Sequence, residues 1–355
     1  MKVLVTGNKG YVGSVITEDL SKQGFDVLGL DVGFFPKGFV ESKYDVDTIS
    51  KDIRDVERKD IEDCNAIIHL AGLSNDPLGE LDSSLTNDIN FLSTIRLAKM
   101  AKEVGVERFV FSSSCSIYGA NDNEVNEKSK MEPLTAYAKS KVESEQELLK
   151  LKDEKFSPTI LRNATVYGIS PSQRLDLVVN NLVGSAVTTN KIHLMSDGTS
   201  WRPLLHVEDM ALAFIHMLKS PKEKISGGIF NVGNNNENFR VIQIAEKIKE
   251  IIPGTEIEFS KEASKDKRSY KVNFDKIKNE LGFETKWTLE KGIKQIFNVM
   301  KEKNFFKNRS WNVGNNPKTA VHEFIKHDKR FKIDKNLENK LVITANPDGF
   351  LKCIK

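Results

Sequence analysis

Cysteine is scarce in this chain. Cys64, Cys115 and Cys353 are the three thiols of 355 residues, too few and too scattered for a disulfide framework or a zinc site. That scarcity fits a reducing compartment, and a cytoplasmic protein is expected. No apolar run is long enough to span a bilayer, and no signal-peptide pattern precedes the first apolar segment. The six histidines show no ligand spacing; His322 and His327 stand five apart, so no metal site is expected. A dominant charge is missing as well, because 53 basic and 50 acidic residues leave only +3. The imbalance is local: from Lys301 onward 13 basic residues face 6 acidic ones, +7, which leaves −4 for the first 300 residues. A basic tail can touch nucleic acid or membrane, but a solvated face is the simpler reading, so neither is expected as a partner.

What is present begins at the first residues. Lys2 to Thr6 is a short apolar run with β-branched members, followed by the turn Gly7-Asn8-Lys9-Gly10-Tyr11-Val12-Gly13 and a helical stretch, Ser14 to Lys22. Strand, glycine turn and helix together give the glycine spacing its meaning. Glycines allow a tight turn and close approach of a ligand, and the helix N-terminus offers free N–H groups to a pyrophosphate. The next strand, Asp26 to Leu30, ends at Asp31, an acid placed to accept hydrogen bonds from an adenosine ribose. The same carboxylate repels a 2′-phosphate, so NAD is expected over NADP.

Further along, strand and helix alternate. Lys51 to Asp55 carries Asp52, which follows a short strand and could reach an adenine amino group. Asn65 to Leu70 reads as a buried strand that breaks at Ala71-Gly72, where small residues suit close approach of a cofactor. Leu85 to Val104 reads as one long helix, with apolar residues at Leu85, Ile89, Leu92, Ile95 and Ala98. Arg108 to Phe111 is a strand ending in Ser112-Ser113-Ser114, Ala136 to Leu151 a strong helix, and Pro158 to Leu161 a sixth strand. This order argues for a parallel, doubly wound sheet. After Arg162 the elements shorten: helices at Leu175 to Ala186, Val207 to Leu218, Val241 to Ile252 and Leu289 to Lys303, a strand at Ile229 to Val232, and a charged loop at Lys261 to Ser269. The helix from Val207 and the strand from Ile229 are expected to return to the first sheet.

Three residues carry a reaction hypothesis. Tyr137 and Lys141 stand four apart on a helix and share a face. Ser114 ends the preceding strand, where open α/β sheets bind ligands. A free phenol titrates near 10, and a neighbouring ammonium favours the phenolate. Tyr137 would then remove a proton from a substrate hydroxyl while carbon gives hydride to a nicotinamide. Ser114 would hydrogen-bond the same oxygen, and Lys141 would hold the nicotinamide ribose.

The combined pattern resembles an extended short-chain dehydrogenase/reductase of the NAD-dependent sugar-nucleotide epimerase/dehydratase family. The matching pieces are Thr6 to Gly13, Asp31, Asp52-Ile53, His69 to Gly72, Ser112 to Gly119, Tyr137 to Lys141 and Leu161 to Gly168, then Asp197-Gly198-Thr199 through Arg202 to Asp209, Phe230 to Gly233 and Glu280 to Phe283. The resemblance implies an α/β fold: a Rossmann-type doubly wound parallel sheet with a smaller, interleaved α/β substrate lobe. Residues 1–165 would form the NAD-binding domain, with returning segments near 205–233. Residues 166–300 would form the substrate lobe, and 301–355 a basic extension without assigned role. NAD would be held by Gly7, Gly10, Tyr11, Val12, Gly13, Asp31, Asp52, Ile53, Leu70, Ala71, Gly72, Asn90, Ser112, Tyr137 and Lys141. A nucleoside-diphosphate sugar would meet Ser114, Thr165, Asp176, Leu177, Arg202 and Arg268, the two arginines on its pyrophosphate. The resemblance also implies a homodimer through a four-helix bundle of Leu85 to Val104 and Ala136 to Leu151.

Departures from the pattern bear on the reaction type. The family's 4,6-dehydratases place Asp-Glu after the catalytic hydroxyl residue; here the pair is Cys115-Ser116. Neither does carboxylate work, although a thiol titrating near 8.5 could serve as acid or base if it were not simply buried. Many epimerases carry Asn at the position of Thr165 and an acid at that of Pro203. An NAD-dependent epimerase is the preferred expectation. Net oxidation, reduction or decarboxylation of a related sugar nucleotide is the alternative, and a non-catalytic binding protein the third.

Overall fold

The computed structural model describes residues 1–34, 40–42, 44–74, 79–264, 268–302, 331–333 and 351–353. Its strands, in chain order, are β1 Lys2–Thr6, β2 Asp26–Leu30, β3 Thr48–Ile49, β4 Ala66–His69, β5 Arg108–Ser114, β6 Ala120–Val125, β7 Ser157–Asn163, β8 Thr165–Tyr167, β9 Lys191–Ser196, β10 Trp201–His206, β11 Ile229–Val232, β12 Asn238–Arg240, β13 Glu256–Ser264 and β14 Ser269–Val272. Seven of them form one sheet in the order β11-β7-β5-β4-β1-β2-β3. Every pairing in it is parallel. Pro158 to Leu161 is indeed the core of its sixth strand by sequence, and Ile229–Val232 returns to its edge beside β7.

Strand alternation divides the core. Val3 and Val5 face one side, with Tyr11, Val15, Ile16 and Leu20 of the helix Tyr11–Lys22 and Ala211, Phe214 and Leu218 of the helix Val207–Lys219. Leu4 faces the other, with Ile67, Phe109, Phe111, Ile95, Ala98, Ala101 and Leu148. These last four come from the helices Ser93–Val104 and Ala136–Lys150. Each fully buried aliphatic side chain contributes about 1.5–3 kcal/mol. A third apolar cluster, including Tyr167, Val183, Ile192, Leu204, Ile244, Ile248, Ile293 and Ile296, gathers the helices Val178–Thr189, Val241–Ile251 and Leu289–Glu302. The doubly wound sheet with a smaller α/β lobe is therefore what the chain forms.

Several boundaries differ from the sequence pattern. The first helix starts at Tyr11, because Gly10 in extended conformation is already its cap. The stretch Leu85 to Val104 is not one helix: Ser83–Asn87 and Ser93–Val104 flank a widened π-helical turn, Asp88–Leu92. The helix expected from Leu175 starts at Val178, so Arg174 and Asp176 stay in the loop before it. The charged loop is shorter than expected, since β13 runs to Ser264 and pairs with β9. Most of 303–355, with His322 and His327, lies outside the described residues; Phe331–Ile333 and Leu351–Cys353 pair antiparallel.

Candidate functional site

The turn after β1 is built for close approach. Gly7 has φ +75°, a left-handed conformation that favours glycine, and a Cβ there would come within 3.0 Å of the Ala71 backbone nitrogen. A Cβ on Gly13 would stand 2.0 Å from the Gly7 carbonyl oxygen, so helix and turn pack at a distance only glycine allows. Gly10 supplies no side-chain cap, which leaves the first-turn N–H groups of Tyr11, Val12 and Gly13 to an anion. Asp31 stands against this turn: its Oδ2 accepts Lys9 N–H at 3.1 Å and its Oδ1 accepts Gly33 N–H at 2.8 Å.

Asp52, expected near the adenine, is paired with Arg54. Both of its oxygens are taken by Arg54, through Nε at 3.0 Å and Nη2 at 2.8 Å, with Arg54 N–H at 2.9 Å as well. The Arg54 side chain holds this carboxyl below its usual range, against the opposing effect of burial. Ile53 beside it is buried.

On the other side of β1, the Leu70 and Ala71 N–H groups both donate to Thr6 Oγ1 at 3.2 Å. Asn90, in the π-turn, holds Leu73 with both ends of its amide, 2.7 Å to the nitrogen and 2.9 Å to the oxygen. A Cβ on Gly72 would reach to 2.9 Å from Asn90 Oδ1. The turn, the Leu70 to Leu73 segment and Asn90 thus enclose a crevice at the carboxyl ends of β1 and β4, the point where the strand order reverses. Its cradle of glycines and its uncapped helix end fit a dinucleotide.

Tyr137 and Lys141 stand on the helix beside β5, whose carboxyl end carries Ser114. Thr135 caps the helix that follows, accepting Ala138 N–H at 3.2 Å, so Tyr137 and Lys141 occupy its first two turns. Lys141 Nζ lies 5.5 Å from the Tyr137 ring centre and 4.5 Å from that of Phe111. Lys141 is 4% exposed. Burial pushes its ammonium down to about 7, against the attraction of Glu145 one turn on. Ser112 and Ser114 are half-buried at the strand end. Ser112 Oγ accepts from Asn163 Nδ2 at 3.2 Å, and Ser114 Oγ accepts Ser116 N–H at 3.1 Å.

Cys115 leaves the list of acid–base candidates. It is 1% exposed, it donates to the Arg162 carbonyl at 3.2 Å, and burial raises its thiol far above the ordinary value. Among the described residues no group of three His, Cys, Asp or Glu side chains converges to hold a metal ion.

The substrate candidates line the segment after β7. Thr165 opens β8 and pairs with Leu204 of β10. Asp176 is held by Arg174 through Nε at 3.0 Å and Nη2 at 2.5 Å, and Leu177 packs against the first core cluster. Arg202 Nη1 donates to the Arg268 carbonyl at 2.5 Å, which brings the two arginines side by side. Arg174 itself escaped the sequence reading. Its Nη1 donates to Ser74 Oγ at 2.7 Å, across the crevice, and its charge interacts with Tyr137. Burial works against its guanidinium, but Asp176 outweighs that and its pKa ends above the ordinary value. The same segment binds the glycine turn: Tyr11 O–H donates to the Gly168 carbonyl at 2.8 Å and Ser170 Oγ–H to the Tyr11 carbonyl at 2.6 Å. Also missed was the ion pair beneath Lys141, Glu145 with Arg162, at 2.7 Å and with side chains 2% and 3% exposed.

Comparison with known proteins agrees with this geometry. Residues 3–233 match the model of the NAD dependent epimerase/dehydratase family. Residues 296–354 match that of rhamnosyl O-methyltransferase/CmcI, a segment mostly outside the described residues. A putative UDP-glucose 4-epimerase of Methanocaldococcus jannaschii is 30% identical, covering 85% of this chain and 99% of its own. A dTDP-D-glucose 4,6-dehydratase of Mus musculus is 27% identical, with 83% and 87% covered. Among solved structures, MoeE5 in complex with UDP-glucuronic acid and NAD superposes with a TM-score of 0.76 at 24% identity, covering 85% of this chain and 99% of that one.

Proposed function

The chain belongs to the NAD dependent epimerase/dehydratase family, and from that premise we propose that it is a nucleotide-sugar epimerase. It is an NAD-dependent enzyme of the extended short-chain dehydrogenase/reductase type. When bound, NAD supplies the hydride acceptor for a ring carbinol and the donor that returns the hydride to the opposite face. The residues of the chain manage the proton and the geometry. Tyr11, Val12 and Gly13 give the pyrophosphate their N–H groups, Gly7 and Gly10 shape the turn it approaches, Asp31 takes the adenosine ribose, and Leu70 to Gly72 with Asn90 and Ser112 wall the crevice. Tyr137 takes the proton of the substrate hydroxyl and later gives it back, Ser114 holds that oxygen, and Lys141 holds the nicotinamide ribose. Asp52 serves the adenine side by fixing Arg54 and the turn at Ile53. Thr165, Asp176 and Leu177 receive the sugar nucleotide, and Arg202 with Arg268 its diphosphate.

The observation that carries epimerisation over water loss is the fate of Cys115. The position where a dehydratase carboxylate would stand holds a buried thiol bonded to a backbone carbonyl, so nothing there can accept a proton from the sugar. The test is incubation with UDP-, GDP-, dTDP- and CDP-sugars at substoichiometric NAD, followed by NMR of the product. An epimer formed without net NADH is the expected result; NADH accumulating without an epimer, or a dehydrated product, refutes it.

Three coarser expectations belong to the same reading. Residues 1–165, with the returning segments near 205–233, serve as the cofactor domain, and the rest of 166–300 as the substrate lobe. The chain is a homodimer through a four-helix bundle, in keeping with the 50% exposure of Leu92 and an open groove where the apolar Phe91, Leu92, Ile95 and Met100 are flanked by the charged Arg58, Arg96, Lys99, Glu103 and Glu147. It works in the cytoplasm, in keeping with the free thiols Cys64 and Cys115. Among the described residues no helix is long and apolar enough to cross a membrane.

A further inference from the structure

His69 ends β4 at the back of the crevice, 1% exposed, and the proposed chemistry does not use it. Its ring makes two hydrogen bonds, to Thr6 Oγ1 through Nδ1 at 2.7 Å and to Thr94 Oγ1 through Nε2 at 2.8 Å. The neighbours fix the direction of both. The Thr94 hydroxyl donates to the Asn90 carbonyl at 2.7 Å, so its proton is committed and its oxygen accepts from Nε2–H. A neutral ring with hydrogen on Nε2 leaves Nδ1 as an acceptor, and the Thr6 hydroxyl donates to it. Thr6 Oγ1 is then free to accept the Leu70 and Ala71 N–H groups. At the far end Ser144, on the helix of Tyr137 and Lys141, gives its hydroxyl proton to the Ser140 carbonyl at 2.7 Å and packs with its oxygen 3.3 Å from the Asn90 carbonyl.

We propose that His69 is a positioning residue, a neutral Nε2–H hub that locks the end of β1, the Leu70 to Leu73 segment and the Asn90 turn into one frame for NAD. The proposal rests on the reading of this crevice as the dinucleotide site. A charged ring is unwelcome here. The groups facing it are the hydroxyls of Thr6 and Thr94, the rings of Phe109 and Phe111 at 5.7 and 5.9 Å, and the ammonium of Lys141. Burial, with Lys141 adding to it, pushes the imidazole down to about 3. A second proton would also turn the Thr6 hydroxyl from donor to acceptor at Nδ1, in competition with the Leu70 and Ala71 N–H groups.

The experiment has two arms on the full chain. With ¹⁵N-histidine labelling and long-range ¹H–¹⁵N correlation, the ring that disappears in His69→Gln is expected to be in the neutral Nε2–H form and unchanged between about pH 5 and 8. Hydrogen on Nδ1 of that ring, or its titration near neutrality, overturns the hub. In the second arm, calorimetric titration with NAD is expected to give a Kd raised about tenfold or more in His69→Leu and less in His69→Gln, which can keep one of the two bonds. If His69→Leu fails to fold, Thr94→Val, which removes the Nε2 acceptor together with the bond to the Asn90 carbonyl and leaves the ring in place, carries this arm. NAD affinity within about twofold of the parent, whatever the change in melting temperature, overturns the positioning role. A parent chain that fails to bind NAD overturns the crevice reading instead, and the first arm still reports on the hub.

Discussion

Replacing Lys141 by Met should make the cofactor-free protein more stable while removing its activity. The ammonium sits in an apolar cage, 4.5 Å from the Phe111 ring, and its pKa falls from 10.5 to about 7. At about 1.4 kcal/mol per tenfold change in proton affinity, the folded state bears ~5 kcal/mol for keeping the amine charged. At pH 7 about half of the folded molecules shed the proton, which leaves a cost of ~4 kcal/mol. Removing the cation also removes its contact with the rings, worth about 1 kcal/mol, so a net gain of ~2–3 kcal/mol is expected for the linear, apolar Met. The sign follows from proton counting. Between about pH 7 and 10.5 the unfolded chain holds a proton that the folded chain releases, so stability rises with pH in that window. The cost is fully present below about 7 and gone above 10.5. The advantage of Lys141→Met should therefore shrink by ~2 kcal/mol between pH 7 and pH 9. Urea unfolding of both proteins at the two pH values measures it. A variant less stable at pH 7, or a gap indifferent to pH, refutes the claim that this amine is held against its solvation.

Why a residue so costly is kept, and which of its neighbours the sequence reveals, are linked questions. Tyr137 and Lys141 were legible because helical spacing is local, and the glycine turn because its residues are contiguous. What surrounds them was not. Arg162 looks like any residue of a strand, and only the pairing of β7 with β5 brings it to Glu145, seventeen positions away on a helix. Arg174 belongs to a loop whose course depends on where the next helix starts, and apolar periodicity placed that start three residues early. The π-turn at Asn90 leaves the apolar rhythm of Leu85 to Val104 nearly intact, so periodicity reads straight through it. β6 is exposed at Ala120, Asp122, Asn123 and Glu124 and carries no apolar alternation. It exists because β14, far along the chain, pairs with it. Asp52 was read correctly as an acid after a strand, but its occupancy by Arg54 is a matter of rotamers, which sequence does not carry.

The remaining tests bear on the turn, the base and the ion pair. Gly13→Ala puts a methyl 2.0 Å from the Gly7 carbonyl, so calorimetry should find NAD binding lost and unfolding should find stability lowered by about 1–3 kcal/mol; NAD binding at parental affinity refutes the close packing. Tyr137→Phe should lower kcat by about 10²–10⁴-fold with NAD affinity unchanged, and a variant at parental rate removes the phenol from the mechanism. For Glu145→Gln the reasoning runs through Arg162. Arg162 donates to Glu145 through Nε at 3.1 Å and Nη2 at 2.7 Å, and Ser113 Oγ–H donates to the same carboxylate at 2.5 Å. Burial disfavours the guanidinium, and Glu145 more than offsets that, so this carboxylate compensates the desolvation of a charge the arginine does not give up. Gln keeps the shape and removes the charge, leaving a buried guanidinium unpaired at a cost of ~3–5 kcal/mol. Glu145→Leu combined with Arg162→Met should recover most of that loss, because neither desolvated charge is then present. A single variant within about 1 kcal/mol of the parent, by urea unfolding at pH 7, shows that the pair is hydrated and does not anchor the helix that carries Tyr137 and Lys141.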